Sequence, residues 1–212
     1  MRYEMSSRQG LHKLPPTTAY QLLDDQLIVF LRAWGSQEYN QKMIAEITHF
    51  LSTAQADVEI TSPFDRIENN TTLANKVRIS LLLAHDYFYK VENKSTLSVG
   101  FEAAVVMRSH QEIAWAAVGR FDIHKLSTQQ QLMISSEGSD QDESILLPVE
   151  LLGVEKNFNL RCGSLSIKNE EIVVASVYQG LLTAFKDSSA SEWHVDVDNQ
   201  DATYWFSKLK SE

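Results

Sequence analysis

The sequence is poor in cysteine, in net positive charge and in long apolar runs. Its one cysteine, Cys162, excludes an internal disulfide and fits a reducing compartment. A zinc site built on several thiolates is excluded as well. Lysine and arginine total 19 against 28 aspartates and glutamates, a net charge of −9. Nucleic-acid binding needs a basic face that displaces counterions, so this balance argues against it. The longest apolar runs, such as Leu27–Leu31 and Ile113–Val118, fall far short of the roughly 20 residues that cross a bilayer. The opening stretch MRYEMSSRQGLHKLPP holds no apolar segment of the secretory kind. A soluble, cytoplasmic protein without membrane insertion is the expectation. With 43% hydrophobic and 22% charged residues, the 212-residue chain has an ordinary globular make-up. It has no internal repeat and no proline-rich linker, so 1–212 reads as a single domain.

The stretch from Gln26 to Ala56 organises the rest. Leu27–Leu31 reads as a buried strand, and Asp24-Asp25 before it as a hairpin turn from Ala19–Leu23. Arg32-Ala33-Trp34-Gly35-Ser36 reads as a turn, with Ser36 placed to cap a helix over 39–56. Apolar residues at 43, 44, 47, 50, 51 and 54 give that helix a stripe of period 3.6. A second helix is expected from about Thr71 to Glu92.

The period then changes to two. Strands are expected at 96–107, 112–118, 121–126, 131–135, 160–166, 171–177 and 202–209. A short helix is expected at 145–152, a helical turn at 181–185 and a loop over 186–199. The acidic stretch Glu137–Ser144 reads as a solvated loop, since it lacks the glycine and distal glutamate of a Ca²⁺-binding loop. Helices first and antiparallel strands after them define an α+β class.

Chemistry-bearing motifs are scarce. The six histidines form no H-x-x-x-H or H-E-x-x-H pair, and there is no phosphate-loop, dinucleotide or G-x-S-x-G pattern. His85-Asp86 are helix neighbours that do not face each other. Cys162 would need a lowered pKa and a placed histidine to act as a nucleophile, and an inert thiol is the plainer reading.

The order of the pieces nevertheless resembles a family. Thr17-Thr18-Ala19-Tyr20 stands where the metal-dependent serine/threonine phosphatases of type 2C (PPM) carry N-E-D and a strand. Arg32-Ala33-Trp34-Gly35-Ser36 stands at their D-G-x-G-G, and Val99-Gly100-Phe101-Glu102-Ala103-Ala104 at their glycine-led strand. Ala116–Asp122 is similar to A-N-x-G-D-S-R, with Gly119 kept. Ile172–Leu182 resembles the strand ending in S-D-G-L, and Gln200-Asp201-Ala202-Thr203 resembles D-N-A-T. The resemblance implies a four-layer α/β/β/α sandwich of two antiparallel sheets. The short polar connection between Leu182 and Ala202 implies a reduced C-terminal helical region.

In that family aspartates at the strand ends hold two divalent metals that activate a hydroxide. Here the matching positions hold Thr18, Arg32, Arg120, Gln179 and Gln200. An arginine has no lone pair for Mg²⁺ or Mn²⁺. Asp201 is the one acid beside a motif position, a ligand only if the register shifts by one. The resemblance therefore implies a pseudophosphatase without metal or other cofactor. Its work would be protein–protein contact as a scaffold or regulator in bacterial signalling, with self-association left open. A second reading makes Arg32 and Arg120, with Trp34, a site for an anion or a phosphoprotein, through forked guanidinium contacts. A third is an enzyme with altered chemistry in the same cleft.

Overall fold

The computed structural model describes residues 1–11, 13–56, 62–110, 112–127, 131–136, 150–166, 171–186 and 192–210. The acidic stretch 137–144 and most of the helix expected at 145–152 lie outside them. The chain divides into two compact units. One comprises Pro15–Gly119 and Val149–Ile167, and the other Met1–Leu14, Arg120–Pro148 and Lys168–Glu212.

The first unit holds strands β2 (Thr17–Leu22), β3 (Leu27–Gly35), β4 (Val99–Arg108), β5 (Glu112–Val118) and β8 (Arg161–Ser166). They form an antiparallel sheet in the order β2-β3-β4-β5-β8. Leu23, Asp24 and Asp25 all take positive φ in the β2–β3 turn, as a tight reversal needs. Helices α1 (Asn40–Ala56) and α2 (Thr72–Tyr87) cover one sheet face. Alternate strand residues Leu27, Val29 and Leu31 meet Met43, Ile47, Leu51, Val77, Leu81 and Ala84 in one buried cluster. Each such side chain other than alanine contributes about 1.5–3 kcal/mol on burial. Thr71 caps α2 by accepting the Ala74 N–H at 3.1 Å.

Helix α2 ends in a π-helical turn, Phe88–Glu92. Asn93 then closes the helix end. Its amide donates to Val99 and Gly153 carbonyls at 2.7 and 2.8 Å, and its oxygen accepts from Ser98 N–H at 2.9 Å. Leu152 pairs with Phe101 rather than ending a helix. Gly153 has φ +81°, and a Cβ there would lie 2.7 Å from Phe88 Cβ.

The second unit holds β1 (Arg2–Arg8), β6 (Asp122–Leu126), β7 (Gln131–Ser135), β9 (Glu171–Tyr178) and β12 (Thr203–Lys210). Their order is β1-β12-β9-β6-β7, again antiparallel. Among the described residues this unit contains no helix. Instead β10 (Leu182–Lys186) and β11 (Trp193–Val197) form an antiparallel hairpin. Its Leu182, Trp193 and Val197 pack on Leu126, Val173 and Ala175. The helical turn expected at 181–185 is therefore a strand, and part of the loop expected over 186–199 is its partner. Leu182, Ala184, Trp193, Val195 and Val197 alternate toward the sheet, and that period of two outweighs helix propensity.

A second correction concerns the turn after Leu31. Strand β3 runs on to Gly35, so Arg32, Ala33 and Trp34 are strand residues. Ser36 makes no side-chain cap, and a 3₁₀ turn at Gln37–Tyr39 leads into α1. The strand continues because β4 continues beside it: Arg32 pairs with Glu102, Ala33 with Phe101 and Trp34 with Gly100.

Candidate functional site

In the first unit Thr18 and Arg32, two of the positions matched to the family's aspartates, fall on β2 and β3. Thr18 is half-buried opposite Leu31, and Arg32 stands opposite Thr17 on one side and Glu102 on the other. Arg32 is 2% exposed and Glu102 0%. The Arg32 Nη1 donates to Glu102 Oε2 at 3.0 Å, and Nη2 donates to Thr17 Oγ1 at 3.1 Å. Trp34 Nε1 donates to the same carboxylate oxygen at 2.8 Å. A buried charge is tolerated when paired and hydrogen-bonded, which is the state of this carboxylate.

Gly119 completes the row. It follows β5 with φ +81°, and a Cβ on it would sit 2.5 Å from Glu102 Cγ. Only glycine leaves room for the glutamate and takes that backbone angle at low cost. The Arg161 guanidinium holds the Gly119 carbonyl at 2.6 Å. Thr17, Arg32, Glu102 and Gly119 thus form a cross-strand row over four strand positions.

Glu102 and Thr17 were not among the residues singled out from sequence. Glu102 carried a signal, as the lone acid within the apolar run of β4, which in a buried strand demands a basic partner.

In the second unit lie Arg120, Gln179, Gln200 and Asp201. Arg120 stacks over the Tyr178 ring at 5.4 Å. Gln179 follows β9 with φ +60°, and its carbonyl accepts from Asn199 Nδ2 at 2.6 Å. Gln179, Gln200, Asp201, Asp198 and Asn199 line an open hollow of about 790 Å³. Asp198 Oδ1 accepts the Leu181 N–H at 2.7 Å, and Asn199 Oδ1 accepts the Asp201 N–H at 2.9 Å. Arg8 donates to the carbonyls of Asn199 and Ala202 and stacks on Tyr204 at 5.0 Å. The loop is held largely by its own polar groups. Arg32 and Trp34 belong to one unit and Arg120 to the other.

The remaining titratable candidates are structural. His85 Nδ1 accepts the Gly153 N–H at 3.1 Å, between Tyr89 and Phe158. Burial pushes its pKa below the ordinary value, against the pull of Asp86. Asp86 itself pairs with Lys90 at 2.6 Å. Burial raises the Cys162 thiol, which Asn70 contacts at 3.2 Å, so no thiolate is favoured there. Among the described residues no three His, Cys, Asp or Glu side chains group as a metal site. Also among them, no helix is long and apolar enough to cross a membrane.

Two antiparallel sheets and a helix pair on the first define a type-2C (PPM) phosphatase-like fold. Solved structures agree over nearly the full length. The Mycobacterium tuberculosis serine/threonine phosphatase PstP/Ppp is 12% identical, with TM-score 0.57 and 99% of each chain covered. PppA, a regulatory component of T6SS in Pseudomonas aeruginosa, is 11% identical with TM-score 0.60, covering 99% of this chain and 97% of that one. The PPM Ser-Thr phosphatase MsPP of Mycobacterium smegmatis is 9% identical with TM-score 0.57, covering 100% and 99%. At such identities the likeness is one of fold. No protein-family model matches the sequence, and no curated protein sequence is significantly similar to it.

Proposed function

We propose that this chain is a catalytically silent type-2C phosphatase-like protein, a single domain that acts by protein–protein contact as a scaffold or regulator. The observation that carries the reading is the Arg32–Glu102 pair. At the β3 position matched to the family's aspartate stands a buried guanidinium already bound to a carboxylate. The other motif positions supply a hydroxyl, a second guanidinium and two amides. That donor set does not fit two hard divalent cations, which require several carboxylate oxygens. Asp201 is a single exposed carboxylate, too little for a paired-metal site.

The engagement of Arg32 by Glu102 and Thr17 also favours a scaffold over an anion reader, because its forked donors are already used. PppA is described as regulatory, and a regulatory role in bacterial cytoplasmic signalling fits this chain in the same way. The test is direct. Purified protein is assayed with Mn²⁺ and a generic phosphomonoester. The expected result is no turnover above that of Mn²⁺ in buffer. Metal-dependent turnover that Asp201→Ala abolishes would refute the proposal.

A further inference from the structure

One buried histidine of the second unit lies outside all of these positions. His124 on β6 is 5% exposed, beside an irregularity in the β6–β7 register. Its Nδ1 lies 3.0 Å from Gln131 Nε2 on β7, and its buried Nε2 has no hydrogen-bond partner among the described residues. Gln131 reaches on to the hairpin. Its Oε1 accepts the Ala184 N–H at 2.7 Å, and its Nε2 lies 3.5 Å from the Leu182 carbonyl. A single side-chain amide thereby docks β10 as a neighbouring strand would.

These contacts leave one protonation pattern. The Ala184 N–H can only donate, so the Gln131 oxygen must face it. The Gln131 amide nitrogen must then face His124, and Nδ1 must accept. The ring is neutral, with its proton on Nε2. A second proton has only Nδ1 to occupy. There it points at an N–H donor, which is tolerable only if the Gln131 amide turns over. The turned amide sets its NH₂ against the Ala184 N–H and its oxygen against the Leu182 carbonyl. Both contacts to β10 are lost.

We propose that His124 and Gln131 form a proton-sensitive latch: protonation of His124 turns the Gln131 amide over and releases strand β10 from the sheet. Release would uncover the apolar face around Val173 and Ala175, now packed beneath Leu182 and Trp193. Burial lowers the His124 pKa while Asp122 on the same strand raises it, so the latch opens below the ordinary histidine range. By register, Glu171 on β9 and Lys208 and Lys210 on β12 share this sheet face. Strand β7 contributes no charged residue. On the hairpin, His194 and Asp196 alternate outward, and Lys186 stands opposite Trp193. Lys208 separately ties β11 through the Trp193 carbonyl at 3.1 Å, so β10 is the strand that frees first.

The experiment uses ¹⁵N-labelled full-length protein. Ring ¹⁵N shifts at pH 7.5 should show neutral His124 with its proton on Nε2. The hydrogen-exchange protection factor of the Ala184 amide should fall about tenfold for each pH unit below the His124 midpoint. His124→Asn, which keeps an acceptor but cannot titrate, should leave Ala184 protected at pH 5 and 7.5 alike. Gln131→Leu should leave it unprotected at both. A proton on Nδ1 at pH 7.5 overturns the proposal, as does Ala184 protection that stays unchanged in the unmodified protein when the pH passes below the His124 midpoint read from the ring shifts. The ring shifts and that comparison need no variant, so they decide even if His124→Asn fails to fold.

Discussion

Replacing Glu102 by alanine removes the buried carboxylate that faces Arg32 and Trp34. The Arg32 guanidinium, 2% exposed, then stays in the interior without the Glu102 carboxylate, and the Trp34 indole N–H loses that acceptor. Removing one member of a buried ion pair costs about 3–5 kcal/mol, most of it the desolvation of the charge left behind. For a chain of this size each kcal/mol shifts Tm by about 2–4 °C, so a fall of roughly 6–20 °C is expected. Removing both charges should cost less than removing one. Arg32→Met with Glu102→Leu fills a similar volume with apolar groups, and such exchanges are often close to neutral. The double mutant should therefore be more stable than Glu102→Ala by at least about 1 kcal/mol. Urea unfolding followed by tryptophan fluorescence compares the unmodified protein, Glu102→Ala and the double mutant. A loss under 1 kcal/mol for Glu102→Ala, or a double mutant less stable than the single one, would refute the view that this pair is a satisfied buried charge.

Two further outcomes follow from neighbouring observations. Gly119→Ala brings a Cβ to 2.5 Å from Glu102 Cγ at a φ of +81°, so a loss of about 2 kcal/mol or more is expected in the same urea titration. His85 has a folded-state pKa below its ordinary 6.5, so the unfolded chain takes up the proton first as pH falls. Its contribution is complete above about pH 6.5 and is lost as pH drops through the lowered folded value, with a slope of at most about 1.4 kcal/mol per pH unit. Urea midpoints from pH 7.5 to 5 should fall accordingly. His85→Asn should flatten part of that fall, and an unchanged slope would contradict the assignment.

Much of the fold is legible in the sequence because periodicity is a local property. The stripe from Met43 to Ala54 marks α1, and the alternation of Thr203–Leu209 marks β12, without reference to any other element. The order of the elements is what the chain shares with type-2C phosphatases, whose solved structures have the same fold at identities of 9–12%. Local reading failed where polar residues continue a strand. Arg32 and Trp34 read as a turn because neither suits an apolar run. They are strand residues because Glu102 lies across the ladder. The hairpin at Leu182–Val197 was missed because its two strands are short and separated by polar sequence.

The class of fold and the two helices follow from side-chain period and identity, which are local. What Arg32 does follows from the packing of distant strands. Its partner is 70 residues away, and burial made that pairing obligatory: a guanidinium excluded from water must find a carboxylate or cost several kcal/mol. The same holds for His124, whose partner Gln131 is oriented by Ala184, a backbone donor on a strand 60 residues further along that no local pattern connects to it.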